Sequence, residues 1–173
     1  MSNHARGFSP IAKPDARILI LGSMPGQASL AAGQYYAHPR NAFWPIMGAL
    51  LGFEPALPYP ERAARLAAAG IALWDVLHAC SRPGSLDSAI APDSVEPNDF
   101  ATFFAAHPHI GHVFFNGTTA ATLFRRHCPE RTRTLPLVRL PSTSPAHAGR
   151  NFADKLAAWQ TVADALTGCG RRP

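Results

Sequence analysis

Lysine is nearly absent from this chain of 173 residues: among its 16 Lys and Arg, only Lys13 and Lys155 are lysine. Neither lies in the polar motifs described below, so covalent chemistry through a lysine Schiff base has no candidate there. Cysteine is sparse too. Cys80, Cys128 and Cys169 are scattered and odd in number, which excludes a disulfide framework, a zinc pattern and four-thiolate iron–sulfur ligation. That usage fits a reducing compartment. No apolar run is long enough to span a bilayer. Residues 1–16 carry no apolar core of a secretory signal. The expectation is a cytoplasmic protein without membrane association. Charged residues are few, at 16%, but hydrophobic residues reach 47%, which is a globular and not a disordered balance.

What is present is a modest positive excess, +5, carried almost wholly by arginine. Arginine suits bidentate contact with phosphate, and a polyanion partner fits the balance. A GC-rich genome gives the same arginine bias. The length suits one domain over residues 1–173, expected as a monomer, with a loosely attached lead-in over 1–14 and a tail over 168–173.

Strand and helix signals alternate along the chain. Apolar runs at Arg17–Leu21, Ile71–Leu77, His112–Gly117 and Leu135–Leu140 predict four strands. Helices are expected over Ala42–Leu51, Glu61–Ala69, Asp99–Ala106, Ala120–His127 (capped by Thr118-Thr119) and Asn151–Leu166, the last with Phe152, Leu156, Trp159, Val162 and Leu166 on one face. Ser81–Asn98 reads as a long surface loop. The fold class is therefore α/β, a three-layer α/β/α arrangement around a four-stranded, mainly parallel sheet. Ligands of such sheets bind at the carboxyl ends of the strands.

Three polar segments fall at those ends. Gly22 to Asn41 follows the first strand and is too long for an ordinary connection. Asn116 ends the third strand. Ser142 to His147 follows the fourth. The Gly22–Gly26 loop lacks the glycine spacing and the Lys-Ser/Thr ending of a nucleotide-phosphate cradle. Neither the first nor the third segment contains Asp or Glu.

Gly22-Ser23-Met24-Pro25-Gly26, Tyr36-Ala37-His38-Pro39-Arg40-Asn41-Ala42-Phe43-Trp44 and Leu140-Pro141-Ser142-Thr143-Ser144-Pro145-Ala146 together resemble the uracil-DNA glycosylase superfamily. Within it they are most similar to the bacterial hypoxanthine-DNA glycosylases. The similarity runs from about Asp15 to Leu166. It implies a monofunctional enzyme of base excision repair, without metal or cofactor, acting on DNA that contains a deaminated base. The enzyme would flip the nucleotide out of the duplex and hydrolyse its N-glycosidic bond.

The resemblance also implies roles. The usual water-holding Asp or Asn before the first-motif proline is replaced by Met24, and the His or Asn that often opens the second motif is replaced by Ser142. Asn41 is then the catalytic candidate, its amide holding the attacking water. Ser23, Met24, Tyr36, His38 and Asn116 are base-binding candidates. Tyr36 would stack on the base, and Asn116 would read its edge. Arg40, Ser142, Ser144, Ala146, His147 and Arg150 are candidates for contact with DNA. Ala146 stands where relatives carry an intercalating wedge and is short for that work, leaving His147 or another loop. Plainer readings stand beside these: a turn at Asn116-Gly117, a core tyrosine at Tyr36, a loop brace at His38, and simple turns at Ser23, Ser142 and Ser144. With Met24 and Ser142 at the usual catalytic places, the alternative is a lesion- or nucleotide-binding module without catalysis.

Overall fold

In a computed structural model, residues 3–128 and 134–168 are described; Cys169, Gly170 and the rest of the expected tail lie outside the described residues. The elements in order are β1 (His4–Arg6), β2 (Ile18–Gly22), α1 (Gln27–Ala32), α2 (Phe43–Leu51), α3 (Tyr59–Ala68), β3 (Ile71–Asp75), β4 (Leu77–Ser81), β5 (Glu96–Pro97), α4 (Phe100–Ala106), β6 (His112–Asn116), α5 (Thr118–His127), β7 (Leu137–Leu140) and α6 (Phe152–Gly168). Strands β3, β2, β6 and β7 lie side by side in that order, all parallel.

Alternation along β2 explains the layers. Ile18 and Ile20 face one side, where they pack with Phe43, Ile46 and Met47 of α2, Leu66 of α3, and Trp159, Val162 and Leu166 of α6. Leu19 and Leu21 face the other, with Phe100 and Phe103 of α4 and Ala120, Leu123 and Phe124 of α5. The expected three-layer α/β/α arrangement is the one observed. The Arg17 guanidinium ties its edge together, donating to the Leu166 carbonyl at 2.8 Å and to the Ala69 carbonyl at 3.2 Å, near the ends of two helices.

Four expectations need correction. The strand read as Ile71–Leu77 is two strands: β3 stops at Asp75, and Val76 leads into β4, which belongs to a second, antiparallel sheet of order β1-β4-β5. The described part of the lead-in is tied down. Residues 4–6 pair with Ala79–Ser81, Ile11 and Leu73 exchange both backbone hydrogen bonds, and the Trp74 indole and Tyr35 hydroxyl donate to the Phe8 and Ser9 carbonyls. A three-residue strand carries no periodicity to read. Helix α5 is entered through Gly117 at φ +96°, a left-handed conformation that favours glycine, and no Thr side chain caps it. Phe152 lies exposed at the start of α6, not on its buried face.

Trp159 is fully buried, and its indole N–H donates to the Pro141 carbonyl at 2.9 Å. Trp159→Ala is expected to lower the free energy of unfolding by about 3–5 kcal/mol, measured by urea denaturation followed by circular dichroism.

Candidate active site

A cleft of about 820 Å³ opens where β2, β3, β6 and β7 end. Its walls include Ser23, Met24, Tyr36, His38, Asn41, Asp75, Asn116, Ser142, Ser144 and Arg150. The three polar segments predicted to converge do so, because parallel strands deliver their carboxyl ends to one edge.

Buried Thr143 joins them. Its N–H donates to Asn116 Oδ1 and its hydroxyl accepts from Asn116 Nδ2, both at 2.9 Å. Its carbonyl accepts the Ala42 N–H at 3.0 Å. The loop after β7 is thereby locked to the end of β6 and to the start of α2. Asn116 is first of all a clamp, and its amide also faces the Tyr36 hydroxyl, leaving one acceptor position for a ligand.

Asn41 is partly buried in the wall. Its Oδ1 accepts the Phe43 N–H at 3.0 Å, and its own N–H donates to the His38 carbonyl at 2.9 Å. One bond to Oδ1 fixes the amide while leaving a second lone pair for a water. His38 Nδ1 accepts the Arg40 N–H at 3.1 Å, so a neutral ring carries its proton on Nε2. His38 both braces the loop and lines the cleft.

Tyr36 adopts φ +54°, unusual for a residue with a side chain, and strain of this kind concentrates at functional loops. Its ring stacks on Phe43, with centroids 4.1 Å apart, so one face is already covered. Burial raises the Tyr36 hydroxyl's pKa, as does the nearby Asp75 charge. That hydroxyl is buried without a well-formed hydrogen bond. Ser23 is committed as well, its hydroxyl donating to Asp87 Oδ1 at 2.6 Å. Met24 is buried among apolar side chains and forms a wall without polar function.

The Ser142 and Ser144 hydroxyls accept N–H groups two residues on, at 3.1 and 3.2 Å. That is turn chemistry, and it leaves their O–H protons to donate outward. Ala146, His147 and Arg150 are exposed on the rim. Arg40 is exposed but does not line the cleft, whereas Arg139, unnoticed in the sequence, does. Lys155, outside the motifs in sequence, lies beside the second of them in the fold. It is buried under the second loop, its ammonium donating to the His147 carbonyl at 3.0 Å. Burial pulls its pKa down, but it does not line the cleft.

Two carboxylates in the cleft were also missed. Asp75 ends β3 in register with Gly22, and its Oδ2 is buried without a partner. A Cβ on Gly22 would collide with Asp75 Oδ1 and lie 2.9 Å from the Tyr36 hydroxyl, so only glycine fits there. Asp75 is the strand-end position equivalent to Asn116, hidden by running the strand on to Leu77. Asp87 comes from the segment after β4, and nothing in its local sequence marks it.

Burial, then the Asp87 charge, raises the Asp75 pKa to about 7, against a smaller opposing effect of Arg82. An acid whose pKa is raised on folding contributes stability below its unfolded pKa and loses it as pH rises through the folded value. The contribution of Asp75 to stability is therefore expected to be lost between about pH 4 and pH 7. Asp75→Asn, neutral at every pH, should flatten that decline. Thermal melts of both proteins across pH 4 to 8 check it.

Residues 9–163 match the family model of the uracil DNA glycosylase superfamily. A protein of Methanosarcina acetivorans named hypoxanthine DNA glycosylase is 33% identical over 161 residues, covering 91% of this chain and 96% of the relative. One of the same name from Methanosarcina barkeri is 37% identical over 113 residues, 65% of this chain and 70% of that one. A solution NMR structure from M. acetivorans, described as a candidate uracil DNA glycosylase, superposes with a TM-score of 0.79 at 31% identity, covering 95% of this chain and 99% of that chain. With the motif loops converging on one cleft at the end of a parallel sheet, the chain belongs to the uracil DNA glycosylase superfamily.

Proposed function

We propose that this protein is a monofunctional DNA glycosylase of base excision repair that removes hypoxanthine, with uracil as a second substrate. The observation that carries the reading is the Asn41 amide, fixed in the cleft wall by the Phe43 N–H with one oxygen lone pair to spare. Two relatives named for hypoxanthine support the choice of base.

The chemistry follows from what the cleft holds. An everted nucleotide enters with its base between Tyr36 and the apolar wall at Met24. Asn41 Oδ1 orients a water toward the anomeric carbon. The bond from that carbon to the base nitrogen breaks and its electron pair leaves with the base. The water oxygen bonds to the sugar and its proton passes to the base or to solvent, giving free base and an abasic site. An amide is a poor base, so positioning and electrostatics supply the rate. The O–H donors of Ser142 and Ser144, with Arg139, Arg150 and Arg40, hold the flanking phosphates. His147 and Ala146 lie against the strand. The one lysine near the loops has its ammonium tied to the His147 carbonyl, which supports hydrolysis over a lyase step. Among the described residues no group of side chains suits a metal ion, and the proposed reaction calls for none. No described helix is long and apolar enough to cross a membrane; the reading is of a monomer acting on DNA in the cytoplasm.

Oligonucleotides carrying hypoxanthine, uracil or xanthine test this. Wild type should release hypoxanthine most readily. Asn41→Ala should bind the same DNA yet lose about a hundredfold or more in release. Wild-type binding without release of any base would instead favour a lesion-binding module.

A further inference from the structure

Eversion of a nucleotide leaves a hole in the base stack, and proteins that distort duplexes fill such holes with apolar side chains. The second-motif loop offers only Ala146 and His147 for that task. Among the described residues two large hydrophobic side chains are exposed, Leu86 at 57% and Phe152 at 46%. Only Leu86 lines the cleft. Resting on the glycosylase reading above, we propose that Leu86, from the segment after β4, is the wedge that enters the duplex and occupies the vacated stack.

The mounting of Leu86 supports this. A wedge must resist being pushed back, and this segment is held from both sides. Buried Arg82 donates through Nε to the Gly84 carbonyl at 2.9 Å and through a terminal nitrogen to the Pro25 carbonyl at 2.6 Å. Gly84, at φ +71°, turns the chain outward. Ser85 Oγ accepts the Gln27 N–H at 2.9 Å. On the far side, Asp87 takes the Ser23 hydroxyl, and the Ala89 N–H closes a tight turn onto the Leu86 carbonyl at 3.0 Å. Leu86 itself is extended, φ −76° and ψ 132°. Its neighbours are thus bonded back to the first-motif loop on either side, while its isobutyl group stays in solvent. A leucine 57% exposed at the mouth of a nucleotide-sized cleft, with its neighbours bonded on both sides, contributes little packing to the folded chain.

The experiment compares wild type, Leu86→Ala and Leu86→Met on hypoxanthine-bearing duplex and on the same strand unpaired. A duplex has a stack to fill and a single strand does not. Leu86→Ala should lower duplex release about tenfold or more while leaving single-strand release nearly unchanged, and Leu86→Met, another wedge-forming side chain, should restore it. An unchanged duplex to single-strand ratio in Leu86→Ala overturns the proposal, as does an equal loss on both substrates. A second readout is independent of catalysis: 2-aminopurine placed beside the lesion brightens when it is unstacked. Brightening with wild type that is lost in Leu86→Ala supports the wedge. Equal brightening in both, or none with wild type, overturns it. Absence of base release alone would count only against the glycosylase reading.

Discussion

Thr143 offers three groups to its surroundings, and all three are taken by residues from other parts of the chain: its N–H and hydroxyl by the Asn116 amide, and its carbonyl by the Ala42 N–H. The cleft depends on this small arrangement. Asn116 stands at the end of a central strand, so its position is set by the sheet. Thr143 transmits that position to the loop after β7, and through Ala42 to the start of α2, one residue from Asn41. Each bond contributes only about 1 kcal/mol. They matter because Thr143 is 1% exposed, so any group left unpaired there would carry its full desolvation penalty. Displacement of Asn41 by even an ångström would undo the proposed mechanism, which is built on positioning.

The same logic runs beneath the second loop. The Trp159 indole holds the Pro141 carbonyl and the Lys155 ammonium holds that of His147, so helix α6 pins the loop at both ends. Ser142 and Ser144 close turns between those pins. These bonds hold the loop's backbone in place, which lowers the conformational entropy it would lose on the proposed contact with DNA.

The layer order, the parallel sheet and the convergence of three loops were legible in the sequence because apolar runs and periodicity report burial, and parallel topology sends strand ends to one edge. That Asn41, Tyr36 and His38 line the same cleft was legible because they cluster in one segment. Thr143 was passed over for the serines around it: its importance is a matter of what it touches 27 residues away at Asn116, which no local pattern encodes. Asp75 was lost to a boundary. Val76 and Leu77 prolong the apolar run, so the end of β3 is invisible until the second sheet claims β4. Asp87 and the grip of the lead-in on β4 rest on contacts between distant segments, and composition alone reads those stretches as surface loop and loose terminus.

The two missed carboxylates sharpen the electrostatic question that the cleft must answer. A site for a polyanion, and for a leaving base that gains negative charge, would be expected to exclude acids. Asp87 is offset locally by the Ser23 hydroxyl, which donates to it. Asp75 resolves the conflict differently. With a pKa of about 7, raised chiefly by burial, it keeps its proton in roughly half of the molecules at pH 7 and in most below that. A neutral carboxyl brings an O–H donor where a carboxylate would bring only acceptors and a charge. Repulsion of a departing anion therefore grows as the pH climbs through that point. The glycine at position 22 follows from the same arrangement, since a side chain there would occupy the space that Asp75 and the Tyr36 hydroxyl share. Gly22, which in the sequence reads as flexibility in a loop, is in the fold a gap left for two buried polar groups.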